Sequence, residues 1–128
     1  MGLTVDPNDP GLRQIKPDGQ QETYLVLSGE ERARGFVRPV RYKYRHGACG
    51  AVTMMGTALS ETYARNPKFY GGTFCCACGN HFPLRTAAGW QFFWLPEGDP
   101  VGSSIEEAAA FFWERDAQIG RRDIGDGI

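Results

Sequence analysis

The sequence predicts an α+β fold: a small antiparallel sheet carrying two metal-binding turns, one short helix between them and a longer helix near the C-terminal end. Three observations point there. Two ligand pairs, His46-x-x-Cys49 and Cys75-x-x-Cys78, are separated by twenty-five residues, and each pair is followed by glycine. Apolar and basic residues alternate from Val40 to His46, the two-residue period of a strand. Helical patterns stand at 57–65 and from Ser103 onward.

The ligand pairs carry the chemistry. A two-residue gap lets one tight turn aim both side chains at a single ion. The glycine after each pair can take positive φ and turn backbone amides toward the sulfurs. Two such turns supply four ligands, His46, Cys49, Cys75 and Cys78, a closed tetrahedral set suited to structural Zn²⁺. Two further residues compete for the site, since Cys76 adjoins Cys75 and His81 follows Cys78 by three. Cys76 would give a C-x-C pair with no turn, and His81 would replace His46. Disulfides are disfavoured because Cys75, Cys76 and Cys78 are too close together to pair easily. The N-terminus lacks a secretory pattern, and no apolar run approaches a membrane span. The expectation is therefore a soluble, cytoplasmic chain in which clustered cysteines bind metal.

A catalytic zinc would need an open position and usually a carboxylate base. Zinc deaminases use H-x-E with P-C-x-x-C. Here Gly47 and Ala48 follow His46, and Phe74 precedes Cys75. Glu61, the only acidic residue between the pairs, falls on a helix surface. The expectation is a chain that is not an enzyme.

With 128 residues this is one domain, and Gly 17 with Pro 8 implies many turns. Residues 1–20, rich in Pro, Gly and Asp, read as an extended arm ending in a turn at Lys16–Gly19, and 21–128 as the zinc-binding domain. Thr23–Leu27 reads as a strand, and Ser28-x-x-Glu31 as a capping box opening a short helix that Gly35 ends. The strand from Val37 to His46 puts Val40, Tyr42, Tyr44 and His46 on one face and Arg41, Lys43 and Arg45 on the other. Val52–Met54 returns as a hairpin. Thr57–Arg65 is a helix stopped by Asn66-Pro67, with Leu59 and Tyr63 buried together. Thr86–Gly89 is a turn, and Trp90–Leu95 an aromatic strand. Ser103 and Ser104 cap the last helix, which Gly120 should stop near Ile119. Its Phe111-Phe112-Trp113 run spans roughly 200° of helix surface, too wide for one packing face.

Net charge is −1 but unevenly spread. Residues 1–31 hold two basic and six acidic side chains, 32–68 eight and one, and 97–128 three and eight. Such opposed segments neutralise one another or offer a cationic surface to an anion. Two functional readings follow. One is a protein-binding or assembly module, using Phe111, Phe112 and Trp113 against a protein partner or a second copy. The other is a nucleic-acid-binding protein or inhibitor of a host nucleic-acid machine, using Arg38, Arg41, Lys43 and Arg45 with nearby aromatics.

The paired ligand turns across 40–85 resemble the zinc-ribbon group, in which two such turns cap a small antiparallel sheet. Zinc ribbons serve transcription, ribosomes, polymerases and small adaptors, so the likeness implies metal rather than a particular task. The helix at 57–65 departs from the plainest ribbon and leaves a treble-clef-like arrangement open. Cys75-x-x-Cys78-Gly79-x-His81-Phe82 with the following aromatic strand resembles the second half of β-tent domains of the cereblon and yippee type. That likeness implies an aromatic cage, for which Trp90 and Trp94 are the candidates, although β-tent domains place far more chain between their turns. Through segments such as Phe36-Val37-Arg38-Pro39-Val40-Arg41-Tyr42 and Phe69-Tyr70-Gly71-Gly72-Thr73-Phe74-Cys75, the chain in overall look is similar to small zinc proteins carried by phages and prophages.

Overall fold

The computed structural model describes residues 2–126, with side chains of the last helix as far as Ala117. The N-terminal arm is held against its own chain. Its strand β1 (Gly2–Thr4) pairs in parallel with β2 (Thr23–Leu25), Leu3 opposite Tyr24. A 3₁₀ turn at Pro10–Arg13 follows, with Asp9 Oδ1 accepting from the Gly11 amide at 2.9 Å. The turn at Lys16–Gly19 closes as expected, Gly19 N–H donating to the Lys16 carbonyl at 2.9 Å. Gly19 has φ +94°, and a Cβ there would fall 1.8 Å from the Gly79 carbonyl oxygen. Only glycine lets this turn seat on the second ligand turn.

Ser28 accepts from the Glu31 amide and caps α1 (Gly29–Arg32). The long strand expected from Val37 is a correction: β3 covers only Lys43–His46. Proline at 39 interrupts it, and the Val37 and Arg38 amides donate instead to the Ala64 carbonyl at the end of the next helix. β3 pairs antiparallel with β4 (Val52–Met54), Tyr44 opposite Thr53. The helix α2 (Thr57–Arg65) has the expected bounds. Its Thr62 is fully buried, donating to the Ala58 carbonyl and accepting from the Leu27 amide, which ties the helix to the segment after β2.

β5 (Gly72–Cys75) and β6 (Asn80–Pro83) form a second antiparallel hairpin around the second ligand turn. The aromatic strand divides in two. β7 (Arg85–Thr86) and β8 (Gly89–Trp90) make a small hairpin, with Gly89 at φ +111° in its turn. β9 (Phe92–Trp94) joins the other edge of β3, giving a three-stranded sheet in the order β4-β3-β9. Tyr44, Met55, Tyr63, Leu84, Phe92, Trp94 and Val101 form the core with Cys75, and Leu59 packs against it beside Tyr63.

The last helix, α3, runs from Ile105 to Asp126. Ser104 caps it reciprocally: its hydroxyl accepts from the Glu107 amide at 3.1 Å, and the Glu107 carboxylate accepts from the Ser104 amide at 3.0 Å. Ser103 is not a cap; its buried hydroxyl donates to the Pro100 carbonyl. Nor does Gly120 end the helix. Mid-helix glycine costs about 1 kcal/mol relative to alanine, which weakens a helix without breaking it.

Candidate metal centre

The two ligand turns are built alike. Gly50 N–H donates to the His46 carbonyl at 2.7 Å, and Gly79 N–H donates to the Cys75 carbonyl at 2.9 Å. Both glycines have positive φ, +75° and +68°. The Ala51 amide then points at Cys49 Sγ, 3.5 Å away. Each turn closes a hairpin, β3–β4 or β5–β6, so two rigid ladders present the ligands to one another.

The nitrogen of His46 and the sulfurs of Cys49, Cys75 and Cys78 lie within 4.8 Å of one another. Cys49 Sγ is 3.4 Å from His46 Nδ1 and 3.5 Å from Cys75 Sγ; Cys78 Sγ is 3.7 Å from Nδ1. An ion bound at about 2.3 Å to sulfur and about 2.0 Å to nitrogen in a tetrahedron requires ligand–ligand edges of roughly 3.5–3.8 Å. The four residues fit such an ion. His46 is held by ring stacking, Phe92 on one side at 4.6 Å and Phe82 at 4.8 Å. Burial lowers its pKa, which favours the neutral imidazole that a ligand needs.

The thiols are electrostatically unequal. Burial opposes ionisation of Cys75, but the Cys78 amide and the neighbouring thiols outweigh it and hold its pKa below the ordinary value. The Cys78 thiol is pushed up to about 11 by its hydrogen bond with Cys75, reinforced by burial. Packed this closely, the thiols cannot all ionise cheaply unless a cation sits among them.

The two competing residues stand outside this group. Cys76 is exposed; its Sγ donates to the Val52 carbonyl at 3.4 Å and its amide donates to Thr53 Oγ1 at 3.1 Å. His81 faces Tyr24, with Nε2 2.9 Å from the phenol oxygen.

The candidate cationic surface is divided. Arg41 is buried, bonded through both terminal nitrogens to Asp99 and through one to Glu97 at 3.1 Å, with its guanidinium over the Trp94 ring. Arg38 also binds Asp99. The expected basic face is thus corrected at its first position. Because the chain around Arg41 is not strand, alternation does not apply, and the side chain turns inward to a buried carboxylate. Lys43 is exposed, and Arg45 is half-buried with its guanidinium 5.2 Å from the Phe93 ring. Asp99, fully buried, is the residue that sequence reasoning missed. It stands 58 residues from Arg41 with no motif around it.

In α3, Phe111 packs on Phe93 at 5.7 Å, Phe112 lies beneath Arg115, and Trp113 is 75% exposed. Trp90 lies between Lys68 and Arg85, both of which bind Glu107, whereas Trp94 is core packed against Tyr44 and Tyr63. The two tryptophans occupy separate surroundings and do not share a cage. No helix among the described residues is long and apolar enough to cross a membrane. No protein-family model, curated protein or solved structure matches the chain, so the zinc-ribbon likeness rests on the ligand turns themselves.

Proposed function

We propose that this chain is a structural-zinc module that makes protein–protein contacts, with a second copy of itself as the partner. Three thiolates and one imidazole in a tetrahedron are the donor set of structural zinc, and the ion would supply folding free energy to a thin core. One observation carries the contact reading: Phe93 lies between Arg45 of β3 and Phe111 of α3, at 5.2 and 5.7 Å. The cationic strand and the aromatic helix, which looked like alternatives in the sequence, therefore form one surface. Exposed Val52, paired with Arg45 in the β3–β4 ladder, extends it, and Trp113 is exposed elsewhere on the same helix. Glu106, Glu114 and Asp116 are exposed on α3, opposite in charge to Lys43 and Arg45, so two copies can complement each other. The nucleic-acid reading keeps only Lys43 and Arg45 of its four cations.

Light scattering on the zinc-loaded chain tests this. The expected mass is a multiple of 14.2 kDa that falls to monomer in Trp113→Glu, with zinc retained. A wild-type protein that stays monomeric at high concentration would overturn it.

A further inference from the structure

A cavity of about 230 Å³ opens beside the metal centre, between the N-terminal segment, the start of α2 and the β5–β6 hairpin. Its apolar wall includes Leu59, Met55 and the rings of Tyr44, Tyr63 and Tyr70. Volume bounds what could enter. An apolar cavity of roughly 150 Å³ accepts benzene, so this one has room for a fused two-ring molecule.

Charge narrows the class. Among the described residues no Lys, Arg, Asp or Glu lines the cavity. A charged ligand would shed its hydration with no counter-ion to receive it, which is costly. The occupant is therefore neutral.

Hydrogen-bond accounting narrows it again. The hydroxyl of Tyr44 donates to the Phe74 carbonyl, that of Tyr63 to Gly72 at 3.3 Å, and that of Tyr70 to Leu25. Tyr24 accepts from the Gln21 amide and shares one proton with His81 Nε2, which leaves one donor of this pair free. Thr73 donates to the Tyr44 oxygen at 3.1 Å. The side-chain amide nitrogens of Gln20 and Gln21 donate to Asp18 and to the Leu12 carbonyl. The hydroxyl protons of Tyr44, Tyr63, Tyr70 and Thr73 are thus spent within the protein. What remains on Tyr63 and Tyr70 is acceptor oxygen, while Gln20 and Gln21 each keep one N–H beside their acceptor oxygen. Burial raises the pKa of Tyr44 to about 12 and those of Tyr63 and Tyr70 further, so these phenols stay neutral and keep their protons on the carbonyls.

We infer that this cavity is a binding site for a small, neutral, planar aromatic molecule of about indole size that donates a hydrogen bond through an N–H group. The phenol oxygens of Tyr63 and Tyr70, their own protons spent on carbonyls, accept from such a ligand. The site is independent of the contact surface on α3.

Indole is the probe, added to the full zinc-loaded chain and read by saturation-transfer NMR and thermal shift. Saturable binding is expected. 1-Methylindole, which keeps the rings and loses the N–H, should bind about tenfold more weakly or worse. Indole-3-acetate, which adds a carboxylate, should not bind. A plug variant locates the site. Gly56 lines the cavity, has an ordinary φ of −71°, and a Cβ there meets nothing within 4 Å. Gly56 is also the N-cap of α2, so Gly56→Phe should keep zinc content, lower stability by about 1 kcal/mol and abolish indole binding. Absence of saturable indole binding, equal binding of 1-methylindole, or unchanged binding in folded Gly56→Phe would each overturn the assignment.

Discussion

The phenol oxygen of Tyr24 lies 2.9 Å from Nε2 of His81, joining the second strand to the hairpin that carries Cys75 and Cys78. Burial holds the His81 pKa below its usual value, so the folded state prefers the neutral ring. The unfolded chain binds that proton more readily. Stability from this group is complete above the unfolded value of about 6.5 and is lost as pH falls through the lower folded pKa. Thermal melts should show a fall below pH 6.5 that His81→Gln flattens. Tyr24→Phe should cost about 1 kcal/mol at neutral pH, read from denaturant midpoints.

The metal prediction separates Cys49 and Cys78 from Cys76. Native mass spectrometry should show one zinc per chain. Cys49→Ser or Cys78→Ser should lose the ion and unfold or aggregate, because the remaining ligands lose their shared cation. Cys76→Ser should keep both metal and melting temperature, since its thiol bonds only the Val52 carbonyl. A Cys49→Ser protein with full zinc content would defeat the assignment.

Arg41 and Lys43 stand two positions apart and should behave oppositely. Lys43→Ser removes an exposed charge and should change stability by less than about 0.5 kcal/mol. Arg41→Ser leaves Asp99 buried with Arg38 as its only other cation among the described residues, and should cost about 3–5 kcal/mol by chemical denaturation. Equal effects would mean that the buried cluster does not form.

Gly19 and Gly35 make a controlled pair. Both have positive φ, +94° and +114°, so alanine strains either backbone. Only at Gly19 would the new Cβ collide with another chain segment, the Gly79 carbonyl. Gly19→Ala should therefore destabilise by clearly more than Gly35→Ala, which should cost about 1 kcal/mol. Parity between them would show that the Lys16–Gly19 turn does not rest on the second ligand turn.

What the sequence revealed was local. The ligand turns, the Ser28 cap and α2 each depend on residues within a few positions, where spacing and turn chemistry decide the outcome. The misreadings came from distant partners. Alternation over 37–46 suggested one strand, but the Ala64 carbonyl claimed two of its amides and Asp99 drew Arg41 inward. Composition made the first twenty residues read as an extended arm, and the pairing of Gly2–Thr4 with Thr23–Leu25, invisible in local pattern, is what holds its start. At Gly120, local propensity named a stop that the helix does not obey.

Burial alternates around the candidate metal centre, with His46 and Cys75 inside and Cys49 and Cys78 at the surface. That asymmetry sets how fast an ion leaves. A small chelator can displace the two outer sulfurs one at a time while the hairpins stay folded. Release should then be first order in chelator and faster than global unfolding, whereas a wholly enclosed ion would leave no faster than the chain opens.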